Sequence, residues 1–179
     1  MKQINPIAHP AIFFDRDGVL NVDRGYVYRR DDFTWVQGAK EALKLVASKG
    51  FLSIVVTNQS GIARGYYSLS DMQSLHEWMR SDVSASGGCI DDFYFCPYHD
   101  EGAVSQYVIP DHPDRKPNPG MILRAAADHN INLSRSLLIG DKQSDIEAAK
   151  RAGVASILFN GGDLHHTLSN WFKLQEGSN

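Results

Sequence analysis

Cysteine is scarce in this chain: Cys89 and Cys96 are the only two. That excludes the disulfide framework with which small secreted domains make up for a thin core. Long apolar runs are missing as well, and the opening MKQINPIAHP lacks the apolar centre of a signal peptide. No membrane partner and a cytoplasmic location are therefore expected. Basic clusters are also absent. With a net charge of −3 and no long run of Lys or Arg, the chain is not expected to bind nucleic acid. There is no internal repeat and no low-complexity tract.

What remains is an ordinary globular composition. The chain has 179 residues, 42% of them hydrophobic, which is enough for one domain with its own core. No composition shift marks a boundary, so residues 1–179 are expected to form a single domain. Short apolar runs alternate with helical patterns, the mark of an α/β fold with a parallel sheet covered by helices. Residues 11–15, 51–57, 89–95, 136–141 and 154–159 read as strands. Residues 38–50 and the stretch after Gln143 carry helical spacing. Ser70 and Gln73 suggest a capping box for a helix ending at the double glycine 87–88. Asn118 and Pro119 suggest an N-cap and a first helical residue. A closing loop and a surface helix are expected after Asn160.

Chemistry-bearing residues gather at the C-terminal ends of these strands, the edge where open α/β sheets bind ligands. FFDRDGVL ends the first with Asp15 and Asp17, VVTNQSG the second with Thr57 and Asn58, and LIGDKQSD the fourth with Asp141. Asp145 follows Asp141 by one helical turn, and RKPNPG opens a helix behind Lys116.

In this order, the four stretches resemble the four motifs of the haloacid dehalogenase superfamily of phosphohydrolases, from residue 11 to about residue 158. The resemblance implies a doubly wound, Rossmann-like sheet. It makes Asp15 the nucleophile that forms an aspartyl-phosphate and Asp17 the general acid, then general base. Thr57 and Lys116 would stabilise the phosphoryl oxygens. Mg²⁺ would be held by the carboxylates of Asp15 and Asp141 and the backbone carbonyl of Asp17. The intervals between motifs are too short for a large cap domain.

Within the superfamily, DRDGVLNVDRGYV, VTNQSGIARG and RKPNPGM resemble the branch of heptose-bisphosphate phosphatases. That branch implies a small sugar bisphosphate as substrate. It implies substrate contacts from Asp23, Arg24, Gly25, Tyr26, Thr57, Asn58, Gln59, Ser60, Arg115, Lys116 and Lys142, with Arg115 also catalytic. Histidinol-phosphatases and nucleic-acid 3'-end phosphatases share part of the pattern and stay open as alternatives. A monomer is expected. Asp145 is expected to support Lys116 or the metal. Tyr28 and Trp35 are expected to pack rather than to bind, and the role of Tyr66 and Tyr67 is open. His165 and His166 receive no role.

The stretch from Cys96 to Pro117 holds Cys96, His99, His112 and Asp114. Structural zinc favours four converging ligands, mostly thiolate and imidazole, and this set has one thiolate. The loop resembles a zinc-free variant in which IPDHP stands where relatives carry cysteines. Zinc is therefore not expected, and packing by Tyr98, Tyr107, Val108 and Ile109 is expected to hold the loop.

Overall fold

A computed structural model describes residues 8–177. Residues 1–7, on which the signal-peptide reading partly rests, lie outside the described residues. Five strands form the sheet: β1 (Ala11–Phe14), β2 (Leu52–Asn58), β3 (Asp92–Cys96), β4 (Leu137–Gly140) and β5 (Ala155–Leu158). All pairings are parallel and the order is β3-β2-β1-β4-β5. Five helices connect and close it: α1 (Ala39–Ser48), α2 (Leu69–Ala85), α3 (Gly120–Asp128), α4 (Gln143–Ala152) and α5 (Leu164–Glu176). This is the expected doubly wound α/β fold, without a large cap domain.

The strands are apolar throughout because both faces of the sheet are covered. Side chains alternate between faces, so Ile12 and Phe14 enter one core and Ala11 and Phe13 the other, all fully buried. The first core is closed by Leu43 and Val46 of α1, by Leu75 and Met79 of α2, and by Leu164, Leu168 and Phe172 of α5. The second is closed by Met121, Ile122 and Ala125 of α3 and by Ala148 and Ala149 of α4. Each large side chain so buried contributes about 1.5–3 kcal/mol.

Several local expectations need correction. The helix after Asn160 is not merely superficial: Leu164, Leu168 and Phe172, four residues apart, seal one face of the sheet. The capping box of α2 is built two residues earlier than expected, by Ser68 and Asp71. Asp71 accepts from the Ser68 N–H and carries negative charge at the helix start, which Gln73 cannot do. The third strand begins at Asp92 rather than at Cys89, because Arg80 takes the carbonyls of Ile90 and Asp91. Asn118 does not cap α3, which starts at Gly120; its side chain donates to Asp111 at 2.7 Å and accepts from Arg151 at 3.0 Å.

β1 has β2 on one side and β4 on the other, so the chain changes direction across the sheet at this strand. A crevice forms at such a switch point, beyond the C-terminal ends of the strands. Asp15, Thr57 and Asp141 all stand there.

Candidate active site

The floor of the crevice is a buried ionic cluster. Lys116 reaches it from the loop before α3, and its three ammonium protons are all used. They go to Asp15 Oδ1 at 2.8 Å, to Asp145 Oδ1 at 2.6 Å and to the Val56 carbonyl at 2.8 Å. Burial alone would lower the pKa of Lys116, but Asp15 and Asp145 outweigh it and raise the value. Burial pushes Asp15 the other way, up to about 7 against the pull of Lys116, with Asp145 and Asp17 adding to the rise. The expected link between Asp145 and Lys116 is present. The second Asp145 oxygen accepts from the Lys142 N–H at 3.0 Å, which closes the first turn of α4.

Two glycines make the close approach possible. A Cβ on Gly140 would overlap Asp145 Cβ, and one on Gly18 would overlap the Asp141 carboxylate. Gly18 also has φ of 93°, a left-handed conformation that disfavours any side chain.

Asp17 is held on every side. One carboxylate oxygen accepts from Arg16 Nη2 at 3.1 Å and Asn21 Nδ2 at 3.0 Å; the other accepts from Arg16 Nε at 3.2 Å and Gln59 Nε2 at 3.0 Å. Burial would raise its pKa, but Arg16 and these hydrogen bonds overcome burial and hold Asp17 below the usual carboxylate value. Gln59 also donates to Thr57 Oγ1 at 2.8 Å and accepts from the Tyr67 hydroxyl at 2.6 Å. The Tyr67 phenol, pushed up to about 12 chiefly by burial, stays protonated as that donor.

The crevice has a volume of about 210 Å³. Its walls include Asp15, Asp17, Asp23, Gly25, Tyr26, Thr57, Asn58, Gln59, Ser60, Lys116 and Lys142, so most of the expected site residues do converge. Arg24 and Arg115 do not line it. The Arg115 guanidinium turns to the Tyr98 carbonyl at 3.1 Å, so in this structure it holds the loop rather than facing the crevice. Asn58 has a further job: its amide accepts from the Lys116 N–H and donates to the Lys116 carbonyl, both at 3.0 Å. Tyr67 and Ser144 line the crevice without having been assigned to it from sequence. Tyr28 stacks on Tyr67 and Trp35 donates to Asp82, so both pack, as expected. His165 and His166 approach Ser169 and Asn170 on their own helix, away from the crevice.

Among the described residues, one group of His, Cys, Asp or Glu side chains is close enough to share a metal ion: Asp15, Asp141 and Asp145. Asp141 Oδ1 is buried with no hydrogen-bond partner. Four acids of the crevice wall, Asp15, Asp17, Asp23 and Asp145, face two lysines. An excess of carboxylates with an orphaned oxygen suits a hard divalent cation.

The residues of the loop from Cys96 to Pro117 have partners of their own. Burial pushes the Cys96 thiol up to about 11. His112 stacks on Tyr98 with ring centroids 4.0 Å apart and accepts from the Asp114 N–H. His99 approaches Arg64, and Asp114 pairs with Arg124. Tyr98 and Tyr107 pack as expected, whereas Ile109 is exposed.

A parallel sheet ending in a paired Asp-x-Asp, a threonine, a buried lysine and a further acid defines the haloacid dehalogenase-like hydrolases, and the HAD-hydrolase-like family model matches residues 114–170. The D-glycero-alpha-D-manno-heptose-1,7-bisphosphate 7-phosphatase of Burkholderia mallei is 48% identical over 148 residues, covering 83% of this chain and 78% of that protein. The D-glycero-beta-D-manno-heptose-1,7-bisphosphate 7-phosphatase of Escherichia coli K12 is 41% identical, with coverage of 82% and 76%. The solved D,D-heptose 1,7-bisphosphate phosphatase of B. bronchiseptica, complexed with magnesium and phosphate, superposes with a TM-score of 0.76. It is 29% identical and the match covers 90% of this chain and 86% of that one. The chain belongs to the heptose-1,7-bisphosphate 7-phosphatase family of these hydrolases.

Proposed function

We propose that the chain is a Mg²⁺-dependent phosphomonoesterase that removes the 7-phosphate of D-glycero-D-manno-heptose 1,7-bisphosphate, in nucleotide-heptose synthesis. The observation that carries the reading is the clustering of Asp15, Asp141 and Asp145, the first and last of them paired with buried Lys116, with Asp141 Oδ1 unpartnered. Asp15, Asp141 and the Asp17 carbonyl would hold Mg²⁺. Bound there, the ion would offset the negative charge of the carboxylates and the phosphoryl oxygens.

Asp15 attacks phosphorus, forms an aspartyl-phosphate and displaces the sugar alkoxide, which takes a proton from Asp17; Asp17 takes that proton up from solvent when the phosphate's negative charge, arriving beside it, offsets the pull of Arg16. Asp17 then accepts a proton from water as that water attacks phosphorus, releasing phosphate and Asp15. Lys116 and the Thr57 hydroxyl face the transferring oxygens. Because Thr57 Oγ1 already accepts from Gln59, its own proton is free to point into the crevice. Asp23, Gly25, Tyr26 and Lys142 contact the sugar bisphosphate at the rim, and Lys142 pairs with the distal phosphate. The protein acts as a cytoplasmic monomer, without structural zinc and without nucleic acid; no helix among the described residues is long and apolar enough to cross a membrane.

The test is phosphate release from both heptose-1,7-bisphosphate anomers, histidinol phosphate and a 3'-phosphorylated oligonucleotide. A heptose bisphosphate should lead by at least about tenfold in kcat/KM, and EDTA should abolish turnover until Mg²⁺ is restored. Preference for the oligonucleotide or for histidinol phosphate would replace the substrate assignment.

A further inference from the structure

Arg16, between the two aspartates of the first motif, is completely buried. Four hydrogen bonds engage its guanidinium. Two form a fork on the Asp17 carboxylate, one reaches the Val27 carbonyl at 2.6 Å, and one approaches His76 Nε2 at 3.2 Å. Asp17 is its one ion-pair partner among the described residues. His76 is itself buried and stacked on Phe93, 4.3 Å between centroids, so it acts as a fixed neutral acceptor.

A buried cation is an expensive way to gain stability, since apolar groups of equal volume commonly serve as well. Its directions here are informative. The fork sets the plane of the Asp17 carboxylate, because two parallel N–H bonds leave it no rotation. The bond to Val27 anchors the residue that directly follows Gly25 and Tyr26, whose φ angles are 74° and 52°. Tyr26 is an aromatic residue in the left-handed region, a conformation that persists only when its surroundings impose it. The same residues line the crevice. One guanidinium therefore holds both the acid–base carboxylate and the substrate-facing segment.

We propose that Arg16 is a positioning residue that locks the Asp17 carboxylate and the rim segment Asp23–Tyr26 into one register, so that proton transfer to the leaving group depends on it. The proposal rests on the acid–base role given to Asp17. Its signature is leaving-group dependence. An alkyl phosphate needs a proton on departure and a 4-nitrophenyl phosphate does not.

The test measures kcat and KM for heptose bisphosphate and 4-nitrophenyl phosphate with wild type, Arg16→Lys, Asp17→Asn and the double variant. Arg16→Lys keeps the charge and loses the fork. It should lower kcat about 10- to 100-fold on the alkyl ester and less than about threefold on the aryl ester. It should also raise KM for heptose bisphosphate. Adding Arg16→Lys to Asp17→Asn should cost little more in kcat. Arg16→Met, which keeps volume without charge, serves if the lysine variant folds poorly and should show the same ester split. Equal losses on both esters, or effects that add in the double variant, would reduce Arg16 to a structural residue and overturn the proposal. If Asp17→Asn itself shows no ester dependence, the acid–base reading falls and the proposal falls with it.

Discussion

The floor and the rim of the crevice both present a lysine among carboxylates, yet the two are built differently. Lys116 has 3% of its side chain exposed and is gripped by Asp15, Asp145 and a carbonyl of β2. Lys142 has 56% of its side chain exposed and meets Asp23 at 3.3 Å and Asp141 at 3.8 Å. The floor is fixed by strand ends and helix starts, which the core holds. The rim is a loop shaped by an Asx turn at Asp23, two left-handed residues and one exposed ion pair. Charge at the floor is therefore coupled to folding, whereas charge at the rim is available to a ligand at little structural cost.

The most severe break in this comparison is at the floor. Asp15→Asn should lower phosphate release at least about a thousandfold while the far-ultraviolet spectrum is unchanged, because volume is kept and the nucleophile is lost. Residual turnover within tenfold of wild type would remove Asp15 from the chemistry.

Lys116→Met should abolish activity and also destabilise the fold by about 3–5 kcal/mol, since two buried carboxylates lose their cation. Urea unfolding measures this, and an unchanged midpoint would mean that the cluster relaxes freely. At the rim, Lys142→Ala should raise KM for the bisphosphate about tenfold and shift stability by no more than about 0.5 kcal/mol. A stability loss like that at Lys116 would erase the contrast between the two lysines.

The smallest expected effect lies beneath the floor. Burial, then Arg16 and Arg80, hold the His76 pKa well below 6.5. Above pH 6.5 the ring is neutral whether the chain is folded or not. Below it, the unfolded chain takes up a proton that the folded chain refuses, so stability falls with pH until the folded value is passed. The slope is at most about 1.4 kcal/mol per pH unit. His76→Gln keeps an acceptor for Arg16 and should flatten the melting temperature between pH 6.5 and 5.5. An equal slope in both proteins would show that His76 titrates in the fold as it does outside it.

How far these features could be read from the sequence follows the same division. Asp15, Asp17, Thr57 and Asp141 stand within short motifs at the ends of apolar runs, where local pattern and tertiary position coincide. Tyr67 and Ser144 carried no such signal, because the packing of separate segments brings them to the crevice. The grip of Arg16 on Val27 joins residues 11 apart through the interior. Adjacency to Lys116 points Arg115 towards the substrate in the sequence, but the two sit in successive tight turns, closed by the Arg115 N–H on the His112 carbonyl and the Asn118 N–H on the Arg115 carbonyl, and the guanidinium reaches the Tyr98 carbonyl instead. The shifted cap of α2 had a simpler origin. SLSDMQS offers two overlapping cap patterns, and the one with a carboxylate at the third helical position formed.

Gly140 has no functional group, and the crevice never touches it. Yet Asp145 lies where its first side-chain atom would stand. A substitution scan read only by loss of turnover would therefore score Gly140 beside the acids and the lysine. Its tolerance profile would be more restrictive than that of any charged residue at the site, because even alanine must displace the carboxylate that holds Lys116. What such a scan would mark at this position is a volume that Asp145 already fills and that no side chain at residue 140 can share.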